Sequence, residues 1–251
     1  MLTKQRKQLI LKKLKKDGQI VAKDVSREFG LSEDTIRRDL RELALEGLLQ
    51  RVHGGALPAS PAVVNFAGRE QLASSAKVAI GRAAAAMVQH NQVVILDGGT
   101  TTRELARHLP HDLQATVVTH SPTVAIELLE HPGVEVILIG GRLFKHSVVA
   151  VGAAAIAAIS QIRADTFFMG VTAIHPEAGL STGDLEEAHV KRALSAAAAD
   201  TIVLVSAEKL NAASTYVIAP VSEVSGIIVE RSVPEGATEA YLKMGITVTR
   251  A

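Results

Sequence analysis

From residue 93 onward, short apolar or β-branched runs alternate with helical stretches, and this rhythm restricts the fold more than any other feature. The runs are V-V-I-L-D (93–97), T-V-V-T (116–119), V-E-V-I-L-I (134–139), D-T-F-F-M (165–169), T-I-V-L-V (201–205) and G-I-I-V (226–229). Helical segments are expected at 75–90, 101–109, 122–131, 152–161 and 185–199. Apolar strands separated by helices describe an α/β domain whose mostly parallel sheet is covered on both faces. No internal repeat stands out, and the alanine runs are helix filler.

Ligands of such sheets lie beyond the carboxyl ends of the strands, so the residues that follow each run are the candidates. After the first run come Asp97, Gly98, Gly99, Thr100, Thr101 and Thr102, opening a helix. Glycines admit a phosphate to the backbone, and a helix N-terminus presents free N–H groups; a plain tight turn is the other reading. The spacing is neither G-x-G-x-x-G nor G-x-x-x-x-G-K-[ST], which counts against dinucleotides and nucleoside triphosphates. Later strand ends offer Thr119 and His120, then Gly140, Gly141 and Arg142, then Gly170. Beyond these lie Gly179 to Thr182, a helix with Glu187 and Lys191, and Lys209. Together they suit a small anionic, hydroxyl-rich ligand such as a phosphorylated sugar.

The first 58 residues differ in character. They hold 13 Lys and Arg against 8 Asp and Glu, whereas the whole chain is at +1. Residues 2–16 form a basic amphipathic helix with seven basic residues and no acid, ended by Asp17 and Gly18. A second helix carries Val21, Val25 and Phe29 on one face and closes at Gly30. A third begins at Ser32, a good N-cap with Glu33 and Asp34 in its first turn. Ile36, Leu40 and Leu43 form its apolar stripe, and Gly47 ends it. Arg37, Arg38 and Arg41 lie away from that stripe, with Thr35 at its flank. Alone, this helix reads equally as a solvated surface. Preceded by a helix and a tight turn, it reads as the second helix of a helix-turn-helix spanning about Ile20 to Asp39, which enters the major groove. Leu48, Leu49 and Val52 can form a short strand that Gly54 and Gly55 turn back, a wing with Arg51 and His53 at its tip. Asp39 would be repelled by phosphate and is expected to be structural, holding Arg38 or Arg41. Base specificity falls to Arg37 or Arg38 and salt-dependent affinity to the N-terminal lysines.

The segment S-E-D-T-I-R-R-D-L followed by R-V-H-G-G-A resembles the winged helix-turn-helix of the DeoR family of bacterial transcriptional regulators. Ser32, Thr35, Ile36 to Leu40, Arg51 and His53 to Ala56 match its pattern. The later part resembles the sensor domain of that family through I-L-D-G-G-T-T, L-I-G-G-R, A-D-T-F-F-M-G, G-L-S-T with E-A-H-V-K-R, and the Lys209 motif. The resemblance implies a fold similar to ribose-5-phosphate isomerase and an allosteric sugar-phosphate pocket bordered by Asp97, Gly98, Gly99, Thr100, Thr101, Glu187, Lys191 and Lys209. Three positions depart from the family pattern: His120 for Asn, Ser206 for Asp and Glu230 for Asp. At a ligand rim these would alter effector choice.

The division expected is a DNA-binding domain at 1–58, a linker at 59–74 with Phe66 and Arg69 docking it onto the body, and an effector domain at 75–251. The absence of Cys excludes disulfides and thiolate metal sites. The scattered histidines make no metal pair, and no cofactor is expected. Scarce aromatics, 3% of residues, count against single-stranded nucleic acid. With no apolar run near ~18 residues and no leader-like N-terminus, no membrane partner is expected, and the location is cytoplasmic. The function expected is repression of a sugar operon by a homo-oligomer on double-stranded operator DNA, relieved or set by a phosphorylated effector. The competing reading is a sugar-phosphate isomerase that carries a DNA module, with Asp97, Glu187 and Lys209 as its acid–base groups.

Overall fold

The computed structural model describes residues 1–251. Its N-terminal unit runs α1 (Thr3–Asp17), β1 (Ile20–Val21), α2 (Ala22–Phe29), α3 (Glu33–Leu45), β2 (Gln50–Val52) and β3 (Gly55–Leu57). The three helices and three antiparallel strands, ordered β1-β3-β2, enclose Ile10, Leu14, Val25, Ile36, Leu40, Leu43 and Leu49. This cluster shares no residue with the two cores of the body. Ser32 caps α3 by accepting from the Thr35 N–H at 3.3 Å, and Gly47 follows the helix at φ +72°. Two details differ from expectation. Val21 ends β1 with an exposed side chain, and Ala22 takes the inward place with Val25. Leu48 is exposed ahead of β2, while Leu49 enters the core; Arg51 sits within β2, opposite Ala56, and the tip falls to His53 and Gly54.

Residues 58–73 are not a bare connector. A single 3-10 turn (Pro61–Val63) and α4 (Phe66–Gln71) occupy them. Both are fixed by polar ends rather than an apolar stripe, which is why no period announces them. Ser60 Oγ accepts from Ala62 N and donates to Thr172 O, and Asn65 accepts from Gly68 N at 3.0 Å. Pro58 O receives Ala213 N at 3.1 Å, so the segment lies along the body.

The body continues with α5 (Ser74–Ala85), β4 (Val93–Leu96), α6 (Thr100–Arg107), β5 (Ala115–Thr119), α7 (Pro122–Glu127) and β6 (Val134–Leu138). A hairpin, β7 (Arg142–Phe144) and β8 (Val149–Val151), precedes α8 (Ala153–Ile159), β9 (Ala164–Gly170), β10 (Ala173–His175) and β11 (Gly179–Thr182). Then come α9 (Leu185–Ala196), β12 (Ala198–Val205), β13 (Tyr216–Ala219), β14 (Gly226–Val229), α10 (Glu239–Lys243) and β15 (Thr247–Arg250). Seven strands make one parallel sheet ordered β15-β14-β12-β9-β4-β5-β6. Alternate residues pack on opposite faces: Ile95, Phe167, Met169 and Val203 meet α8 and α9, whereas Val94, Leu96, Phe168 and Leu204 meet α5, α6 and α7. The short β10-β11-β13 sheet, the β7-β8 hairpin and β15 lack the sustained apolar runs of the other strands and were not read as strands.

The sheet order decides where a ligand can sit. From β4 the chain builds outward through β5 to β6, then returns to place β9 on the other side of β4. The reversal falls between β4 and β9, and at such a switch point the flanking loops part and leave a crevice.

Candidate functional site

Two surfaces carry the candidate residues. On the N-terminal unit, Ser32, Arg37, Arg38 and Arg41 are exposed on α3, with Thr35 half-buried beside them. Arg37 also faces the wing, lining one groove with Arg51, His53, Gly54 and Gly55. Arg37 is tied to Glu33 at 2.9 Å, a helical pair of small value in water. Arg38 and Arg41 make no ion pair within the chain and so keep their full donor sets. Asp39 is fully buried, and its partner is Arg6 of α1, not Arg38 or Arg41. Its position beside the apolar stripe turns it inward, where only α1 can reach it. Of the other N-terminal bases, Lys7 binds Glu42 and Glu46, and Lys13 binds Asp17 and Glu28, which leaves Lys4, Lys12, Lys15 and Lys16 exposed without partners.

On the body, a cleft opens at the β4–β9 switch point. It is lined by Gly98 to Thr102, Gly170 to Thr172, Thr182, Glu187, Lys191, Lys209 and Arg69. Gly99 stands at φ +135°, a conformation other residues rarely adopt, and it caps α6. The first N–H groups of α6, at Thr100 to Thr102, have no acceptor within the helix, and these three residues line the cleft. Gly98 is small for another reason: a Cβ there would stand 2.0 Å from Val149 of the β7-β8 hairpin. Its glycine admits the hairpin, not a phosphate.

Asp97 lies beneath the cleft floor rather than on it. Its carboxylate takes Lys191 Nζ, the N–H groups of Gly98 and Gly170 at 2.8 Å each, and His120 Nε2 at 2.9 Å. Burial alone would raise its pKa, but Lys191 and His120 outweigh that and hold it at about 2. Its role is to aim Lys191, which also donates to Gly170 O at 3.0 Å. Burial pushes Lys209 down to about 8, with Lys77, Arg69 and Lys191 adding repulsion. Burial lowers Arg69 and Lys77 as well. Glu187 is the acid on the cleft wall, 3.3 Å from the Thr182 hydroxyl. Three cations and a helix start thus surround one small acid-poor space, an arrangement with the charge to hold an anion, and Glu187, Thr182 and Thr172 offer partners for hydroxyls.

The chain matches the family model described as DeoR-like helix-turn-helix domain over residues 6–61, and that described as DeoR C terminal sensor domain over residues 72–231. It is 36% identical to the HTH-type transcriptional regulator GlpR of Haloferax volcanii, covering 99% of this chain and 98% of that one. It is 32% identical to the HTH-type transcriptional repressor GlcR of Bacillus subtilis, covering 92% and 90%. The chain belongs to the DeoR family. It is a DNA-binding transcriptional regulator, with a small winged helix-turn-helix joined to a parallel α/β sensor domain. Among solved structures, ribose 5-phosphate isomerase A from Methanocaldococcus jannaschii aligns with a TM-score of 0.41 and 15% identity over 54% of each chain.

Within this DeoR-family chain, the structure gathers Gly98, Gly99, Thr100, Thr101, Gly170, Glu187, Lys191 and Lys209 at one cleft, with Asp97 directly behind. It leaves Thr119, His120, Gly140, Gly141 and Arg142 outside. Thr119 and His120 end β5 but are sealed by the hairpin: Ala150 N donates to His120 O at 2.8 Å, and His120 Nδ1 meets Ala150 O at 2.9 Å. Gly140, Gly141 and Arg142 are exposed beyond the edge strand β6, two strands from the switch point. The departures at Ser206 and Glu230 also miss the cleft. Ser206 bonds Glu208 at 2.6 Å, and Glu230 receives Ala207 N at 3.2 Å. Thr102 and Thr182, offered by their strand ends, line the cleft as well, whereas Thr172 and Arg69 join it without having been singled out as ligand contacts. For Arg69 no local pattern exists, since it arrives from α4.

Proposed function

We propose that this regulator is a repressor of a carbohydrate-catabolic operon whose operator affinity is set by a phosphorylated sugar bound at the β4–β9 cleft. The observation that carries the reading is the meeting of Lys191, Lys209 and Arg69 with the start of α6 around a space with one acid, Glu187. GlpR and GlcR, named as regulator and repressor, support the regulatory half. On operator DNA, α3 enters the major groove with Arg38 and Arg41 free for base edges. Ser32, Thr35 and Arg37 flank them, and Arg51, His53, Gly54 and Gly55 of the wing lie against the backbone or minor groove. Such modules act as two-fold pairs on half-sites, so the working form is a homo-oligomer held by the α/β domains.

An effector changes operator affinity through its differential affinity for two arrangements of the DNA-binding modules. An isomerase would need a free general base near the substrate carbon. Asp97 is not free, because both its oxygens are taken by Lys191, His120 and two backbone N–H groups. The test is a screen of phosphorylated sugars for a rise in melting temperature, followed by release of the DNA upstream of the regulated operon. A set of pentose, hexose and triose phosphates that moves neither signal refutes the sensor reading, and aldose–ketose turnover above background refutes the regulatory one.

A further inference from the structure

The guanidinium of Arg69 is unsatisfied at the cleft. Its Nε is buried with no hydrogen-bond partner, and the side chain makes no ion pair, although Lys191 and Lys209 share its cleft. A buried donor without an acceptor is uphill, and a third cation beside two others is more so. An arriving anion relieves both.

Arg69 belongs to α4, which follows the wing directly along the connecting segment, and not to the sensor sheet. Polar contacts tie α4 to the body: Lys77 Nζ donates to Arg69 O, Glu70 pairs with Arg103, and Phe66 N donates to His146 O at 2.8 Å. Arg69 also stands between two spaces. The inner cleft is the smaller, at about 40 Å³. The outer cavity is about 280 Å³ and is lined by His146, Asp184, Ser214 and Thr215. Arg69, Thr172 and Glu187 are common to both. With the cations around the inner cleft and these three residues shared, an anionic group held within has room for its hydroxyl-bearing body outward past Arg69.

We infer that Arg69 is the coupling residue of the sensor: it grips the effector's anionic group together with Lys191 and Lys209, and by doing so fixes α4, and with it the segment leading to the DNA-binding unit. This rests on the cleft being an anion site. A guanidinium offers a planar fork to phosphate oxygens, whereas the neighbouring lysines act as point charges. Occupancy is thereby reported in the position of the connector, with no change needed in the sheet.

The test is hydrogen exchange read by mass spectrometry on the full-length protein, with inorganic phosphate as the probe and chloride at equal ionic strength as the control. In the wild type, phosphate is expected to slow exchange both at residues 98–106 and at residues 62–72. In Arg69→Gln it is expected to slow exchange at 98–106 alone, with roughly tenfold weaker affinity, the loss of one charge-assisted contact. Slowing at 98–106 without slowing at 62–72 in the wild type overturns the coupling role while the cleft reading stands. No slowing in either segment at saturating phosphate overturns the cleft reading itself. Should Arg69→Gln fail to fold, shown by fast exchange throughout without ligand, the wild-type comparison still decides.

Discussion

Arg6→Ala should weaken DNA binding although the Arg6 side chain is buried and reaches no DNA. Arg6 and Asp39 form a two-pronged ion pair that ties α1 to α3, and both side chains are sealed from solvent. Removing the cation leaves a buried carboxylate without compensation, which costs about 3–5 kcal/mol. The unit is thin, with a core of ten residues, so water reaches a vacated site easily and the lower figure, about 3 kcal/mol, applies. At roughly 0.05–0.15 kcal/mol per residue, a unit of this size has only about 3–9 kcal/mol to lose. Arg6→Ala therefore takes between a third and all of its stability, leaving about 0–6 kcal/mol, while the sensor domain persists. Hydrogen exchange should show α1 and α3 opening with the β4 and β9 amides still protected, and operator binding should fall in parallel. The double variant Arg6→Met with Asp39→Leu should regain most of the stability, because an apolar pair of similar size replaces a buried ion pair at little cost. A single-variant cost below about 1 kcal/mol, or single costs that simply add in the double variant, would refute the argument.

Two further outcomes follow from the same geometry. Arg38→Ala should weaken operator binding by about 1–3 kcal/mol and relax preference at one base pair, leaving phosphate-ester binding unchanged; loss of both activities together would make the helix structural. Lys209, held at about 8 when folded against 10.5 ordinarily, is neutral in the folded state and still protonated in the unfolded state between those values, so ligand-free stability rises with pH across that window. An anion binds the protonated form, so calorimetric affinity should be full below pH 8 and fall by up to tenfold per unit above it, a slope that Lys209→Met should remove and that a flat profile would contradict.

The sequence by itself determined whatever rests on neighbours along the chain. The Ser32 cap, the stripe Ile36–Leu40–Leu43 and the stop at Gly47 are local, and α3 with its exposed arginines follows from them. The six principal strands and five helices of the body are equally local. Their helix ends drift: the segment expected to run to 90 stops at Ala85, and the one expected to run to 199 gives way to β12 at Ala198. The motif residues of the cleft were also legible, since the loop after an apolar strand is a ligand position wherever the strand lies.

Only the tertiary structure decided which strand ends meet. Thr119, His120, Gly140, Gly141 and Arg142 follow strands as Asp97 and Gly170 do, and nothing local separates them. The order β9-β4-β5-β6 does, by placing the reversal at β4–β9 and folding the β7-β8 hairpin over the end of β5. Strand order is set by long-range pairing and by how crossovers pack, and these leave no period in the sequence. The same holds for the two long-range partnerships of charge. Arg6 finds Asp39 across 33 residues, and Arg69 reaches a cleft formed by residues 98 to 209. Each is one polar side chain brought to its place by the packing of everything else.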